Sequence, residues 1–112
     1  MKQVLAFAAL AIAAVGSIAE PRVPEDVSRF VERRESCDHW RSEPGYDKER
    51  QAKIDWAVCQ SCPGADSELA HLKMKYKSDV ATLEKLSEFE PTIEPANKAE
   101  QQEFCRTAKR PK

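Results

Sequence analysis

The segment EDVSRFVERRESC, residues 25–37, shows the clearest helical pattern of the sequence. A stripe of apolar residues and one arginine recurs in it at steps of three and four residues, which is the spacing of a single helix face. The stripe consists of Val27, Phe30, Val31, Arg34 and Cys37. Acidic residues precede it, where the positive end of a helix favours them. The pattern therefore predicts a first helix that begins near Glu25 and ends before Pro44.

Further helical patterns follow, separated by proline and glycine. Asp47 and Asp79 stand where N-caps of a second and a fourth helix are needed, and a last helix is expected between Asn97 and Ala108. The residues expected to face inward are Ile54, Ala57, Val58 and Cys62 in the second helix, Leu69, Leu72 and Tyr76 in the third, and Val80, Leu83, Leu86 and Phe89 in the fourth. Since no alternating β-branched run occurs, the predicted class is all-α, with four or five short helices in a compact, disulfide-stapled bundle.

The beginning of the chain has the pattern of a secretory signal peptide. A basic residue precedes the apolar run 4–15, and small residues lead up to Ala19. The run is shorter than the roughly 20 residues that a membrane-spanning helix needs, so no stable span is expected after cleavage. The sequence thus predicts a signal peptide over 1–19, a single helical domain over 20–108 and a basic tail over 109–112.

Composition narrows the classes of function. The 112 residues include 18 Lys and Arg against 19 Asp and Glu, and this near balance argues against a dedicated nucleic-acid binder. The length allows one domain. An exported chain of this size is expected in the periplasm or outside the cell, with a protein of the cell envelope as its partner and without a cofactor.

The four cysteines are first interpreted as two disulfides, because an even number in a small exported chain is typical of covalent staples. Three pairings of Cys37, Cys59, Cys62 and Cys105 are possible. Cys37–Cys62 with Cys59–Cys105 is favoured, since Cys62 continues the inward stripe of the second helix. Each bond would contribute roughly 2–4 kcal/mol to stability.

Two other interpretations of the cysteines remain open. Cys59 and Cys62 form a C-x-x-C, the spacing of thiol–disulfide exchangers, although a helix C-terminus disfavours the thiolate. Alternatively, Cys37 and His39 together with that pair could supply a tetrahedral zinc set, which would leave Cys105 as a free thiol. We expect neither a resident metal nor a cofactor.

The candidate interaction residues surround the turn after the first helix. They are His39, Trp40, Arg41, Glu43 and Tyr46, and aromatic residues with arginine are enriched in interface hot spots. The alternative is that the indoles of Trp40 and Trp56 cap a small core. Asp38 and His39 would point about 100° apart on a helix, so no catalytic residues are expected.

Four motifs resemble a group of small exported four-cysteine helical proteins of Gram-negative bacteria, over about residues 28–90. They are Phe30-Val31-x-x-Arg34, Cys37-Asp38-His39-Trp40, Asp47-Lys48-Glu49-Arg50 and Cys62-x-Gly64-x-Asp66-x-x-Leu69-x-x-Leu72-x-x-x-Tyr76. Most members of that group have no assigned function, so the resemblance implies compartment and helical fold. Ala65-Asp66-Ser67-Glu68-Leu69 followed by Tyr76 is similar to a segment of periplasmic lysozyme inhibitors, which usually have Asn where this chain has Ala70.

Size, export, disulfides and aromatic residues beside a turn together favour a non-enzymatic periplasmic binding protein. An inhibitor or immunity partner of a cell-wall-degrading enzyme is the leading hypothesis. The alternatives are an envelope stress protein that uses the C-x-x-C for thiol–disulfide or metal chemistry, and a structural component of the envelope.

Overall fold

A computed structural model describes residues 23–111. Within that range the chain forms five helices and no strand, which confirms the all-α prediction. The helices are α1 (Glu25–Arg41), α2 (Lys48–Ser61), α3 (Ala65–Lys75), α4 (Val80–Leu86) and α5 (Lys98–Thr107). The signal peptide predicted for 1–19 lies outside the described residues and stays a prediction.

Short polar side chains and one glycine fix where the later helices begin. The side chains of Asp47, Asp79 and Asn97 each accept a hydrogen bond from a backbone N–H in the first turn of α2, α4 and α5. Helix α3 instead follows Gly64, whose φ of 85° lies in the left-handed region that only glycine adopts without strain. The turn between α2 and α3 therefore depends on this glycine.

The apolar core lies where α1 crosses α3 and α4. Its buried residues are Val27, Phe30, Leu69, Leu72 and Leu86, and the partly buried Val23, Val31, Tyr76 and Phe89 pack against them. The rings of Phe30 and Phe89 meet edge to face with centroids 5.7 Å apart. Burial of each large side chain contributes about 1.5–3 kcal/mol, so a core of five buried residues needs further interactions to hold the helices together.

The prediction that Val80 faces inward is wrong, because its side chain is 70% exposed. The inward face of α4 consists of Thr82 and Leu86, which lie one turn apart. Each residue advances about 100° around a helix, so Val80, two residues before Thr82, lies on the opposite side.

Two disulfides provide covalent links between the helices, in the pairing favoured by the sequence. Cys37–Cys62 joins α1 to the end of α2 with a Cα–Cα distance of 5.0 Å, and both cysteines are buried. Cys59–Cys105 joins α2 to α5 with a Cα–Cα distance of 5.4 Å. Helix α5 has no buried residue and packs mainly on α2, so the second bond is its principal anchor.

A reciprocal carboxylate clamp fixes the connection between α4 and α5. The Asp66 carboxylate accepts hydrogen bonds from the backbone N–H groups of Ile93 and Glu94, while Glu94 Oε1 accepts one from the Asp66 N–H. Burial of the Glu94 carboxyl acts to raise its pKa, but the Asp66 N–H and the Lys98 ammonium outweigh this, so the pKa lies below its usual value. The clamp ties an irregular segment to the start of α3.

A second polar contact ties the start of α1 to the end of α3. Asp26 accepts hydrogen bonds from the Lys75 ammonium at 2.6 Å and from the Tyr76 hydroxyl at 2.7 Å. These two donors, the ammonium first, lower the pKa of Asp26 to about 2. The negative Asp26 lies in the first turn of α1 and the positive Lys75 in the last turn of α3, and the helix dipoles favour each charge at its position.

Removal of the Cys59–Cys105 disulfide is expected to detach α5 and to leave the other helices folded. In Cys59→Ser with Cys105→Ser, amides of α5 should exchange with solvent rapidly while those of α1, α3 and α4 keep their protection, because α5 buries no side chain in the core. Hydrogen exchange followed by mass spectrometry measures this. Cys37→Ser with Cys62→Ser is the matched variant and should lose protection throughout; uniform loss in both variants would contradict the prediction.

The Asp26 contact predicts a specific pH dependence of stability. Since the folded pKa of Asp26 is depressed, its contribution is present above the unfolded value of about 3.9 and is lost as pH falls through about 2. The melting temperatures of the parent and of Asp26→Asn should therefore differ by a constant amount from pH 7 to 5 and converge below pH 4. Glu25→Gln, one residue earlier and exposed, is the control. A difference that stays constant down to pH 2 would refute the assignment.

Candidate functional site

The Arg50 guanidinium lies between two aromatic rings at the turn from α1 to α2. Its Cζ is 5.3 Å from the centroid of the Trp40 ring and 5.9 Å from that of Tyr46. Its Nη2 donates a hydrogen bond of 2.8 Å to Glu43 Oε2. We call these four residues, Trp40, Glu43, Tyr46 and Arg50, the arginine stack. The stack combines a fixed cation, a carboxylate and two aromatic surfaces.

The local sequence explains why the stack forms. Helix α1 ends at Arg41, and the Asp47 cap starts α2 six residues later, so Arg50 lies in the first turn of α2 and faces back over the turn. A cation in the first turn of a helix is disfavoured by the helix dipole. Glu43 offsets that cost by pairing with the guanidinium, and the two rings cover it.

Four of the five predicted interaction residues converge at this turn. The His39 Nε2 lies 3.4 Å from Glu43 Oε1, and the imidazole meets the Trp40 ring edge to face with centroids 5.1 Å apart. Tyr46 is 76% exposed, so most of its surface remains open to solvent. Arg41 is the exception, because its Nε instead donates to Asp38 Oδ1 at 2.9 Å.

Arg50, the centre of the site, was not among the interaction residues predicted from the sequence. The sequence did contain an indication of its role: Arg50 lies three residues after the N-cap Asp47, where the helix dipole disfavours a cation unless a partner compensates for it. Lys53, one turn further along α2, was not predicted either; its Nζ lies 5.6 Å from the centroid of the Trp40 ring. Two cations from α2 therefore lie over one indole from α1.

A cleft of about 590 Å³ adjoins the stack between α1, α2 and the C-terminal tail. Its lining includes the two tryptophans, three cations and small or polar residues: Arg33, Ser36, Trp40, Lys53, Trp56, Ala57, Gln60, Ser61, Arg110 and Pro111. We call it the tryptophan cleft. A second recess, beside Tyr46 and Arg50, shares Lys53 and Pro111 with it. The two hollows and the arginine stack therefore form one continuous surface.

A buried arginine connects this surface to the core. Arg34 is 1% exposed, its Nε donates to Asp38 Oδ1 at 3.0 Å, and its Cζ lies 5.4 Å from the centroid of the Phe89 ring. Its Nη1 and Nη2 have no hydrogen-bond partner among the described residues. The Asp38 carboxylate thus accepts hydrogen bonds from two arginines, the buried Arg34 and the surface residue Arg41. These two bonds fix the last turn of α1.

Both sulfurs of the C-x-x-C are bonded to cysteines on other helices. Cys59 pairs with Cys105 and Cys62 with Cys37, so neither carries a thiol. Across residues 23–111, no group of three or more His, Cys, Asp and Glu side chains is arranged to hold a metal ion.

No helix in the described part of the chain is both long and apolar enough to cross a membrane. The chain matches no protein-family model. Neither a curated protein nor a solved structure is significantly similar to it.

Proposed function

We propose that this chain is a small non-enzymatic binding protein of the periplasm, an inhibitor or immunity partner of a cell-wall-degrading enzyme. The arginine stack is the centre of the binding surface. The observation that carries the proposal is the exposure of Tyr46, which is 76% accessible although its ring packs on the Arg50 guanidinium. A large aromatic side chain held in place yet open to solvent is typical of an interface anchor.

The stack is held rigid before any partner arrives. Glu43 fixes Arg50 by an ion pair of 2.8 Å, and Cys37–Cys62 fixes the two helices that carry the stack. Association loses less conformational entropy when the contacting side chains are already ordered. This order supports a role in tight recognition.

The charge of the surface suits an acidic site. Arg50 is already paired with Glu43, whereas Lys53 forms no ion pair with a described residue and leaves its charge for a partner; both cationic groups stand over the same indole. Enzymes that hydrolyse glycosidic bonds carry a pair of carboxylates in their active-site cleft, to which a cation–aromatic surface is complementary. A wall-degrading glycosidase is therefore the partner class whose chemistry fits the stack.

The two disulfides are consistent with an oxidising compartment outside the cytoplasm. Together with the signal peptide expected over 1–19, they support the periplasm as the place of action. Wall-degrading enzymes act in the same compartment, so the partner and the protein would meet there.

Site-directed crosslinking in living cells tests the proposal. A benzoylphenylalanine in place of Tyr46 should give specific adducts that contain a wall-degrading enzyme, because the side chain lies at the centre of the proposed surface. Met74, which is 68% exposed on α3, is the matched control position and should not give those adducts. Identical adducts from both positions, or adducts with abundant structural envelope proteins alone, would contradict the proposal.

A substitution at the same position separates binding from folding. Tyr46→Ala should weaken the captured enzyme's binding and its inhibition at least tenfold, a loss of about 1.4 kcal/mol. The melting temperature should change by no more than about 2 °C, since the side chain is exposed. Isothermal calorimetry and an inhibition assay on purified wall material measure the two effects. An equal loss of stability would show that Tyr46 serves the fold.

A further inference from the structure

We propose that the tryptophan cleft binds an acidic peptide segment, with carboxylates on Lys53 and Arg110 and an apolar side chain between the two indoles. This inference rests on the proposed function, since it names the chemistry of the partner segment that the surface beside the arginine stack receives. It assigns a separate binding role to the second tryptophan and to the C-terminal tail.

The charge of the cleft is one-sided. Three cations line it, and no carboxylate does among the described residues, although the chain has 19 acidic residues in all. One cation, Arg33, is already neutralised, because its guanidinium donates to Glu68 Oε2 at 3.1 Å and to the carbonyl of Pro63. The other two, Lys53 and Arg110, form no ion pair with any described residue.

Each of these two cations stands over an indole. The Lys53 Nζ is 5.6 Å from the centroid of the Trp40 ring, and the Arg110 Cζ is 5.8 Å from that of Trp56. The aromatic quadrupole holds the cations in place and leaves their hydrogen-bond donors unused. Two such cations at the rim of one cleft can bind two carboxylates of a single ligand.

The same geometry favours a peptide over a glycan. A sugar ring stacks on an open aromatic face, and here it would first have to displace a cation from each indole. A carboxylate binds the cations where they stand, and an apolar side chain can contact the rest of the indole surface. The cleft volume of about 590 Å³ lies within the range of roughly 300–1,000 Å³ that is typical of small-ligand sites, so the cleft can hold a few side chains of a bound segment.

The experiment uses the two tryptophans themselves as reporters. The chain has only these two, so protein labelled with 5-fluorotryptophan gives two fluorine NMR signals, both from the cleft. The probe is a capped heptapeptide of alternating Glu and Leu. Both signals should shift on titration, and the apparent affinity should fall when the salt concentration rises from 20 to about 300 mM, because the contacts are ionic.

Charge reversal identifies the residues. Lys53→Glu with Arg110→Glu should weaken binding of the peptide at least tenfold, while Lys73→Glu with Lys77→Glu, the same charge change on and beyond α3, should alter it less than threefold. Lys53→Ala with Arg110→Ala is a second variant with less effect on the fold, and circular dichroism checks each protein. Equal weakening in the control variant would overturn the proposal.

Two other probes complete the test. A heptapeptide of alternating Lys and Leu should leave both signals unshifted, and an uncharged N-acetylglucosamine tetramer should do the same. The proposal is overturned if the Glu peptide produces no shift, if the Lys peptide shifts the signals equally, or if only the sugar does. If Tyr46 crosslinks to a wall-degrading enzyme but the Glu peptide does not bind, the proposed function stands and the proposed acidic segment is refuted. If the Glu peptide binds but no wall-enzyme adducts form, the acidic segment stands and the proposed function is refuted.

Discussion

The Cys37–Cys62 disulfide is the central constraint of the fold, because it couples α1 to the junction of α2 and α3. It fastens the last turns of α1 and α2 at a Cα–Cα distance of 5.0 Å, next to the buried Ala65 at the start of α3. The main apolar cluster lies against the first half of α1, and the hairpin of α1 and α2 buries a smaller set, Ile54 and Ala57, in addition to the two cysteines. Cys62 caps the end of α2 that is farthest from this turn, so the bond supports the stack by holding α1 and α2 against each other rather than by closing the turn.

Helix α1 therefore has two roles along its length. Its first half supplies Val27 and Phe30 to the core, and its last turn carries the half-buried Trp40 of the arginine stack. Arg34 lies between these halves, with its stem and guanidinium buried and its Nε on Asp38. The buried Arg34 guanidinium has two nitrogens without a hydrogen-bond partner among the described residues, and burial of such a charge lowers the free energy of unfolding. The disulfide offsets part of that cost.

The sequence predicted what depends on local rules. Helical periodicity located α1, short-range capping chemistry located the starts of α2 and α4, and the inward position of Cys62 led to the observed pairing. Val80 was misplaced because three-residue spacing in a seven-residue helix does not define which side meets the core.

The contacts that the sequence could not predict join distant segments. The clamp between Asp66 and Glu94 spans 28 residues, and the contact of Arg110 with Trp56 depends on where the tail leaves α5. Neither has a local pattern, since each partner is an ordinary surface residue type in its own neighbourhood. Arg34 lay on the predicted stripe, but nothing in the sequence distinguishes a buried arginine from one that extends along the surface to solvent.

The most direct test is the disulfide connectivity of the purified protein. Protein purified without reduction should be digested and its linked peptides identified by mass spectrometry. We predict Cys37 linked to Cys62 and Cys59 linked to Cys105, with no free thiol in the mature chain. A bond between Cys59 and Cys62, or a free thiol at either, would contradict the account, because the hairpin that carries the arginine stack would then lack its covalent support.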